Sequence, residues 1–271
     1  MPVLLSSHHI IFRYLYLVGL LLLNGCASVV GPPDERDPFE SYNRAMYSFN
    51  TSADTYVMRP IAVGYRDYIP QPIQTGVSNF FSNLQDVIVL ANDIMQFKFA
   101  QATSDFSRLA WNSTAGLLGL IDVASHMDLP KHNEDFGQTL ATWGVPNGPY
   151  FMLPLIGPST VRDAAALPVD IYIHPTFQGL ITDDAVNLWA VGLRYVDLRK
   201  NLLPATDIVD KVAIDPYSFV RDAYFQSRIN LIYDGRPPEV KQLDIDFSTD
   251  LELELELEEL DKSDKSSIDL K

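Results

Sequence analysis

Residues 37–50 read DPFESYNRAMYSFN, and the period of this stretch decides the fold class. Phe39, Tyr42, Met46 and Phe49 recur at spacings of three and four, and Ala53 and Tyr56 continue the series. That period lays one apolar stripe along an α-helix and scatters it over both faces of a strand. Asp37-Pro38 supplies a start: an N-cap acceptor, then a proline at the first helical position. Asn43 and Asn50 stand seven apart with Tyr47 between them, on a polar seam beside the apolar stripe. Arg59-Pro60 predicts a break or kink, because proline removes a helical hydrogen bond and crowds the preceding turn.

The rest of the chain repeats this pattern. Residues 61–69 predict a short helix ended by PQP at 70–72. Residues 73–100 carry a broad apolar face that includes Val77, Phe81, Leu84, Ile88, Ala91 and Met95. Further helices are predicted over 103–115, 135–142, 160–167 with Ser159 as cap, 183–201, and 217–233 after the second DP start at Asp215-Pro216. GLLGLIDVAS at 116–125 is apolar and broken by glycine. GVPNGPYFMLPLIGPS at 144–159 predicts a loop or one short β-hairpin, in which Gly144, Gly148 and Gly157 permit movement. The predicted class is all-α.

The chain has 271 residues, 47% of them hydrophobic, which allows a large core. It has 35 Asp plus Glu against 20 Lys plus Arg. An acidic surface repels phosphate backbones, which argues against a nucleic-acid partner. After residue 25 there is no uninterrupted apolar run near the ~20 residues of a transmembrane helix. The aromatic-rich helices therefore either form a core or lie in a bilayer as amphipathic faces.

No G-x-S-x-G, P-loop, G-x-G-x-x-G or H-E-x-x-H pattern occurs. His126 and His132 lie six apart, which matches no common metal-ligand spacing. Asp37, Asp122, Asp163 and Asp215 sit at element starts or turns and read as capping acids. Arg44, Arg59, Arg66, Arg162 and Arg221 read as internal salt-bridge partners, with lipid phosphate as the alternative. No catalytic residue, metal site or cofactor is predicted.

Cys26 is the only cysteine, which rules out an internal disulfide framework. It follows a stretch in which Arg13 is the one formal charge and Tyr14–Leu23 is apolar, the pattern of a secretory signal. LNGC at 23–26 resembles a bacterial lipobox, although Asn24 replaces the usual small residue. On that reading residues 1–25 are a signal peptide, Cys26 carries the lipid, and 26–36 form a tether. Ala27, in place of aspartate, points to the outer membrane, with the body facing the periplasm. Residues 37–238 are the helical domain. The acidic Leu/Glu tail at 239–271 reads as a solvated disordered segment or a docking peptide.

Five blocks carry a wider resemblance: DPFESYNRAMYSFN (37–50), RPIAVGYRDYIPQPIQTGVSNFFSNL (59–84), GLLGLIDVAS (116–125), FGQTLATWGVPNGPYFMLPLIGPSTVRD (136–163) and DPYSFVRDAYFQSR (215–228). Together, in this order, they resemble the MlaA (VacJ) family of outer-membrane lipoproteins. The resemblance implies a ring of amphipathic helices around a lipid channel, seated in the outer membrane. It implies association with a trimeric porin. It also implies removal of phospholipid from the outer leaflet and hand-over to a soluble periplasmic carrier, which maintains lipid asymmetry without enzymatic chemistry. Tyr42, Asn43, Tyr47 and Asn50 are then candidates for the channel wall, and Gly144, Gly148 and Gly157 for a hairpin gate. The rival readings are an outer-membrane phospholipase and a structural porin-associated lipoprotein.

Overall fold

The computed structural model describes residues 34–176 and 184–238. Cys26, most of the tether and the Leu/Glu tail lie outside the described residues. The first helix, α1, runs Glu40–Ala53. Asp37 does not cap it. The residue before the helix is Phe39, without a side-chain cap, and Asp37 is buried, accepting hydrogen bonds from Asn43, Tyr217 and Arg221. A carboxylate with an asparagine amide, a tyrosine hydroxyl and a guanidinium within reach is better satisfied by them than by one backbone N–H.

Pro60 does not break the helical path. A π-turn over Asp54–Met58 precedes α2 (Arg59–Tyr68), and the Arg59 N–H reaches back to the Asp54 carbonyl. One widened turn absorbs the missing proline donor. Two long helices follow, α3 (Gln71–Met95) and α4 (Phe99–Thr114). A 3-10 turn lies over Ala124–Met127. Next comes α5 (Phe136–Thr142), whose N-cap Asp135 accepts from the Gln138 N–H.

The Gly/Pro run forms an antiparallel hairpin, β1 (Tyr150–Leu153) and β2 (Gly157–Thr160), with Tyr150 opposite Thr160 and Leu153 opposite Gly157. Helix α6 (Val161–Ile173) follows at once, and Thr160 rather than Ser159 caps it by accepting from the Asp163 N–H. Helix α7 spans Asp184–Val212 and continues through Pro204, beyond the predicted stop at 201. Asp215 caps α8 (Pro216–Ile232), as its DP start predicts.

Neighbour contacts close a circuit: α1 to the π-turn, to α2, to α7, to α3, to α5, to α6, to the hairpin and back to α1. Helix α8 packs on α5, α7 and β2, while α4 packs on α3 outside the circuit. The main apolar cluster lies under the hairpin: Met46, Tyr150, Met152, Tyr217 and Phe225, flanked by Tyr42, Tyr47 and Tyr224. Arg44 ties α1 to the α8 cap through Asp215, and Arg199 ties α7 to the π-turn through both oxygens of Asp54.

The α3–α4 pair is turned inside out. The buried stripe of α4 is Ala102, Asp105, Arg108 and Asn112, and α3 buries Asn83, Asp86, Asn92 and Asp93 beside Phe81, Ile88 and Val89. The outer stripe of α4 is apolar, with Phe106 60% and Trp111 45% exposed. The turn beyond α4 extends it: Leu117 and Leu118 hold left-handed backbone (φ 53° and 61°) and point outward, Leu118 at 70% exposure. Water-facing helices carry their apolar stripe inward; this arrangement suits an apolar surround. Among the described residues, no helix is long and apolar enough to cross a membrane.

Candidate functional site

A cavity of about 380 Å³ opens where α3, the hairpin, α6, α7 and α8 meet. This lies within the ~300–1,000 Å³ of ordinary small-molecule sites. Its apolar lining is Ile88, Leu153, Ile156, Leu167, Ile171 and Leu198. Interleaved with these on the same elements are the ionisable residues Asp135, Asp163, Asp170, His174, Arg194 and Arg228. Two smaller cavities continue it. The first shares Ile156, Tyr195 and Leu198 with the main one, and the second shares Pro158 with the main one and Asn50, Asp54 and Arg199 with the first. The resulting path runs along the hairpin toward Arg59 and Asp210.

Four of the charged or polar groups at the cavity form a network with Arg162. Arg228 donates to both oxygens of Asp135 at 2.5 and 2.7 Å and to Asp163 at 3.0 Å. Arg162 donates to Asp163 at 2.8 Å, and the Tyr224 hydroxyl donates to Asp163 at 2.5 Å. Burial opposes ionisation of Asp135 and Asp163, yet Arg228 outweighs it and holds both carboxyls below the usual range. Gly137 makes this packing possible, since a Cβ there would lie 2.4 Å from Arg228 Nη2 and 2.5 Å from Asp163 Oδ1.

Asp170 and His174 lie one helical turn apart at the end of α6. Asp170 accepts from the Phe136 N–H with its two oxygens at 3.0 and 3.2 Å, and burial pushes its carboxyl up to about 6. Burial holds His174 down to about 4, so the ring is neutral at pH 7. The Thr176 N–H donates to Nδ1 of His174 at 3.1 Å, Nη1 of Arg194 lies 2.5 Å from Nε2 of the same ring, and Arg194 also donates to Gln85 at 3.0 Å.

The two asparagines of α1 act on the hairpin. Asn43 is 0% exposed; its amide donates to Asp37 and to the Tyr150 carbonyl, and its oxygen accepts from the Met152 N–H at 2.8 Å. Asn50 donates to the Leu153 carbonyl at 2.9 Å and accepts from the Leu155 N–H at 2.7 Å. Seven residues of helix span two turns, so two side-chain amides satisfy the free edge of β1 and its turn. Asn43 lines none of the three cavities, because its side chain is spent inside the fold; Asn50 and Tyr47 do line the continuing path. Tyr42 stacks on Phe151 with centroids 5.0 Å apart. Gly157 opens β2 and lines the path, whereas Gly144 follows α5 and Gly148 precedes β1, outside the hairpin. All three hold positive φ.

A family model described as MlaA lipoprotein matches residues 35–230. The chain belongs to the MlaA lipoprotein family. Within it, the chain is 39% identical over 215 residues to the intermembrane phospholipid transport system lipoprotein MlaA of Escherichia coli K12, covering 77% of this chain and 84% of that one. The MlaA protein of the same description from Haemophilus influenzae is 32% identical over 236 residues, covering 83% and 92%. A solved chain from work on the structural basis for maintenance of bacterial outer membrane lipid asymmetry superposes with a TM-score of 0.62. It is 35% identical and covers 72% of this chain and 98% of its own. The mostly helical class with one short hairpin is thus an MlaA feature, and this chain has it.

The charged lining was not among the predicted site residues of this MlaA-family chain. Asp135 comes from the cap position before α5, Asp163 and Asp170 from α6, Arg194 from α7 and Arg228 from α8. No local spacing links these five positions in the sequence. The internal pairing predicted for Arg44, Arg59, Arg66, Arg162 and Arg221 is observed: each meets an Asp or Glu.

Proposed function

We propose that this chain is an outer-membrane lipoprotein, anchored through Cys26 and facing the periplasm, that acts as a conduit for phospholipid. It removes stray phospholipid from the outer leaflet and passes it to a soluble periplasmic carrier, beside a trimeric porin. The observation that carries this reading is the cavity whose lining combines apolar and charged side chains. Acyl chains need the first, and a charged head group needs the second. The inverted faces of α3 and α4 support a seat in lipid. The names of the relatives, a phospholipid transport system and outer-membrane lipid asymmetry, agree with it.

The conduit requires no catalytic group. A passive path lets lipid run downhill only, so any net work belongs to a partner. At the far end of the path Arg199 is paired with Asp54, and Arg59 with Asp207 and Asp210.

The test is surface phosphatidylethanolamine on intact parent and deletion-mutant cells, labelled with a membrane-impermeant amine reagent. More surface lipid in the mutant, with lysophospholipid unchanged, is the expected result. More surface lipid with a missing lyso product indicates a phospholipase. No change in either indicates a structural lipoprotein.

A further inference from the structure

We propose that Asp93 and Asp105 form a proton-binding site in the seam between α3 and α4, and that release of the proton loosens α4 from the helical circuit. The proposal is independent of the conduit reading. Both side chains are 0% exposed. The two carboxyls hydrogen-bond to one another. Neither oxygen of Asp93 meets any other donor, nor does Oδ1 of Asp105. Oδ2 of Asp105 lies 2.7 Å from Nδ1 of His132. An ionised carboxylate only accepts, so a bond between two carboxyls needs a proton on one of them. Two carboxylates that share a buried site do not both ionise.

The cations around the pair are committed to other acids. Lys98 donates to Glu134 at 2.8 Å and to Asp234 at 2.7 Å. Arg108 donates to the Leu129 carbonyl and to Asp122, and its Nε stands 3.9 Å from Asp86. Lys131 donates to Asp86. Helix α5, which packs on α3, has no ionisable side chain. Among the described residues, no group of three His, Cys, Asp or Glu could hold a metal ion. A proton is therefore the positive charge that fits. Burial, the bond to Asp105 and the charges of Asp105 and Glu134 push the Asp93 carboxyl up to about 8, against the field of Lys98.

Helix α4 packs on α3 and on the 3-10 turn, outside the circuit. The seam thus holds much of its attachment, and His132, partly exposed, links the pair to water. When α4 opens, the acids meet water and release the proton that the closed seam keeps. Opening is therefore favoured as pH rises toward 8, and the effect levels off above it.

The full lipidated chain in detergent is followed by hydrogen exchange at pH 7, 8 and 9, with times scaled to the intrinsic exchange rate. Protection of α4 is expected to fall about tenfold in total over this range, while that of α8 holds. Asp93→Asn replaces the shared proton with a permanent amide donor, so its α4 protection is expected to be the same at each pH. Infrared difference spectra of the parent chain between pH 7 and pH 9 are expected to show the loss of a protonated-carboxyl band. The spectra decide without any variant.

Absence of that band overturns the proposal, as does α4 protection in the parent that does not change with pH. A fall that persists in folded Asp93→Asn also overturns it, by assigning the titration to another group. An equal fall in α8 does the same, by assigning it to the whole body.

Discussion

At the scale of single residues, Asn43 and Asn50 look equivalent in the sequence and differ in the fold. Asn43 is buried with three hydrogen bonds, one to Asp37 and two to β1. Replacing it with leucine strands a carbonyl and an N–H of β1 and removes one of the three donors to Asp37. Each unsatisfied buried group costs about 1–3 kcal/mol. Asn43→Leu is therefore expected to lower the urea midpoint severely. Asn50 is half-buried beside the hairpin turn, where water can replace its amide. Asn50→Leu is expected to move the urea midpoint little while raising hydrogen exchange at the Leu155 amide. Equal loss of stability in the two variants would contradict this division. The period-seven spacing was legible in the sequence; that one asparagine is interior and the other faces the path was not, because burial depends on where β1 lands.

At the scale of elements, α4 shows how a period reveals a helix but not the direction its faces take. The stripes 102/105/108/112 and 99/103/106/110 are both visible in the sequence. A water-soluble bundle would bury Phe99 and Phe106. Here Asp105 and Arg108 go inward and the phenylalanines outward. The polar stripe has partners inside: Arg108 donates to the Leu129 carbonyl at 2.6 Å and to Asp122, and Asp105 meets His132 at 2.7 Å. A lipid surround then makes the outer stripe favourable. The prediction is specific. In vesicles whose acyl chains are brominated, a variant with Trp111 as its only tryptophan (Trp143→Phe, Trp189→Phe) is expected to be strongly quenched. Full emission would place the outer face of α4 in water.

At the scale of the whole described body, Asp170 and His174 couple stability to pH in opposite directions. The folded pKa of His174 is depressed from 6.5 to about 4, so its contribution is present above pH 6.5 and lost as pH falls toward 4. The folded pKa of Asp170 is raised from 3.8 to about 6. Its folded form holds the extra proton between those values, so stability is gained as pH falls from 6 toward 4. The two effects offset each other in the parent chain. Between pH 6.5 and 4, the melting temperature of His174→Gln is expected to rise relative to the parent, and that of Asp170→Asn to fall. A shift of the same sign in both variants would refute the assignment.

The sequence by itself determined the helical class, the DP start at Asp215, the hairpin in the Gly/Pro run and the pairing of the arginines. These follow from period, proline and glycine stereochemistry, and the high cost of a buried lone charge, all of which act over a few residues or on any partner in reach. The tertiary structure alone decided that Asp37 is a buried acceptor and not a cap, and that Pro60 widens one turn without ending a helix. It also decided that α3 and α4 turn their polar stripes inward, and that Asp170 and Arg194 line one cavity. Asp37 meets Arg221 across 184 positions of chain, and Arg194 meets Gln85 across 109. No local rule specifies such pairs, because they exist only once the helical circuit has closed.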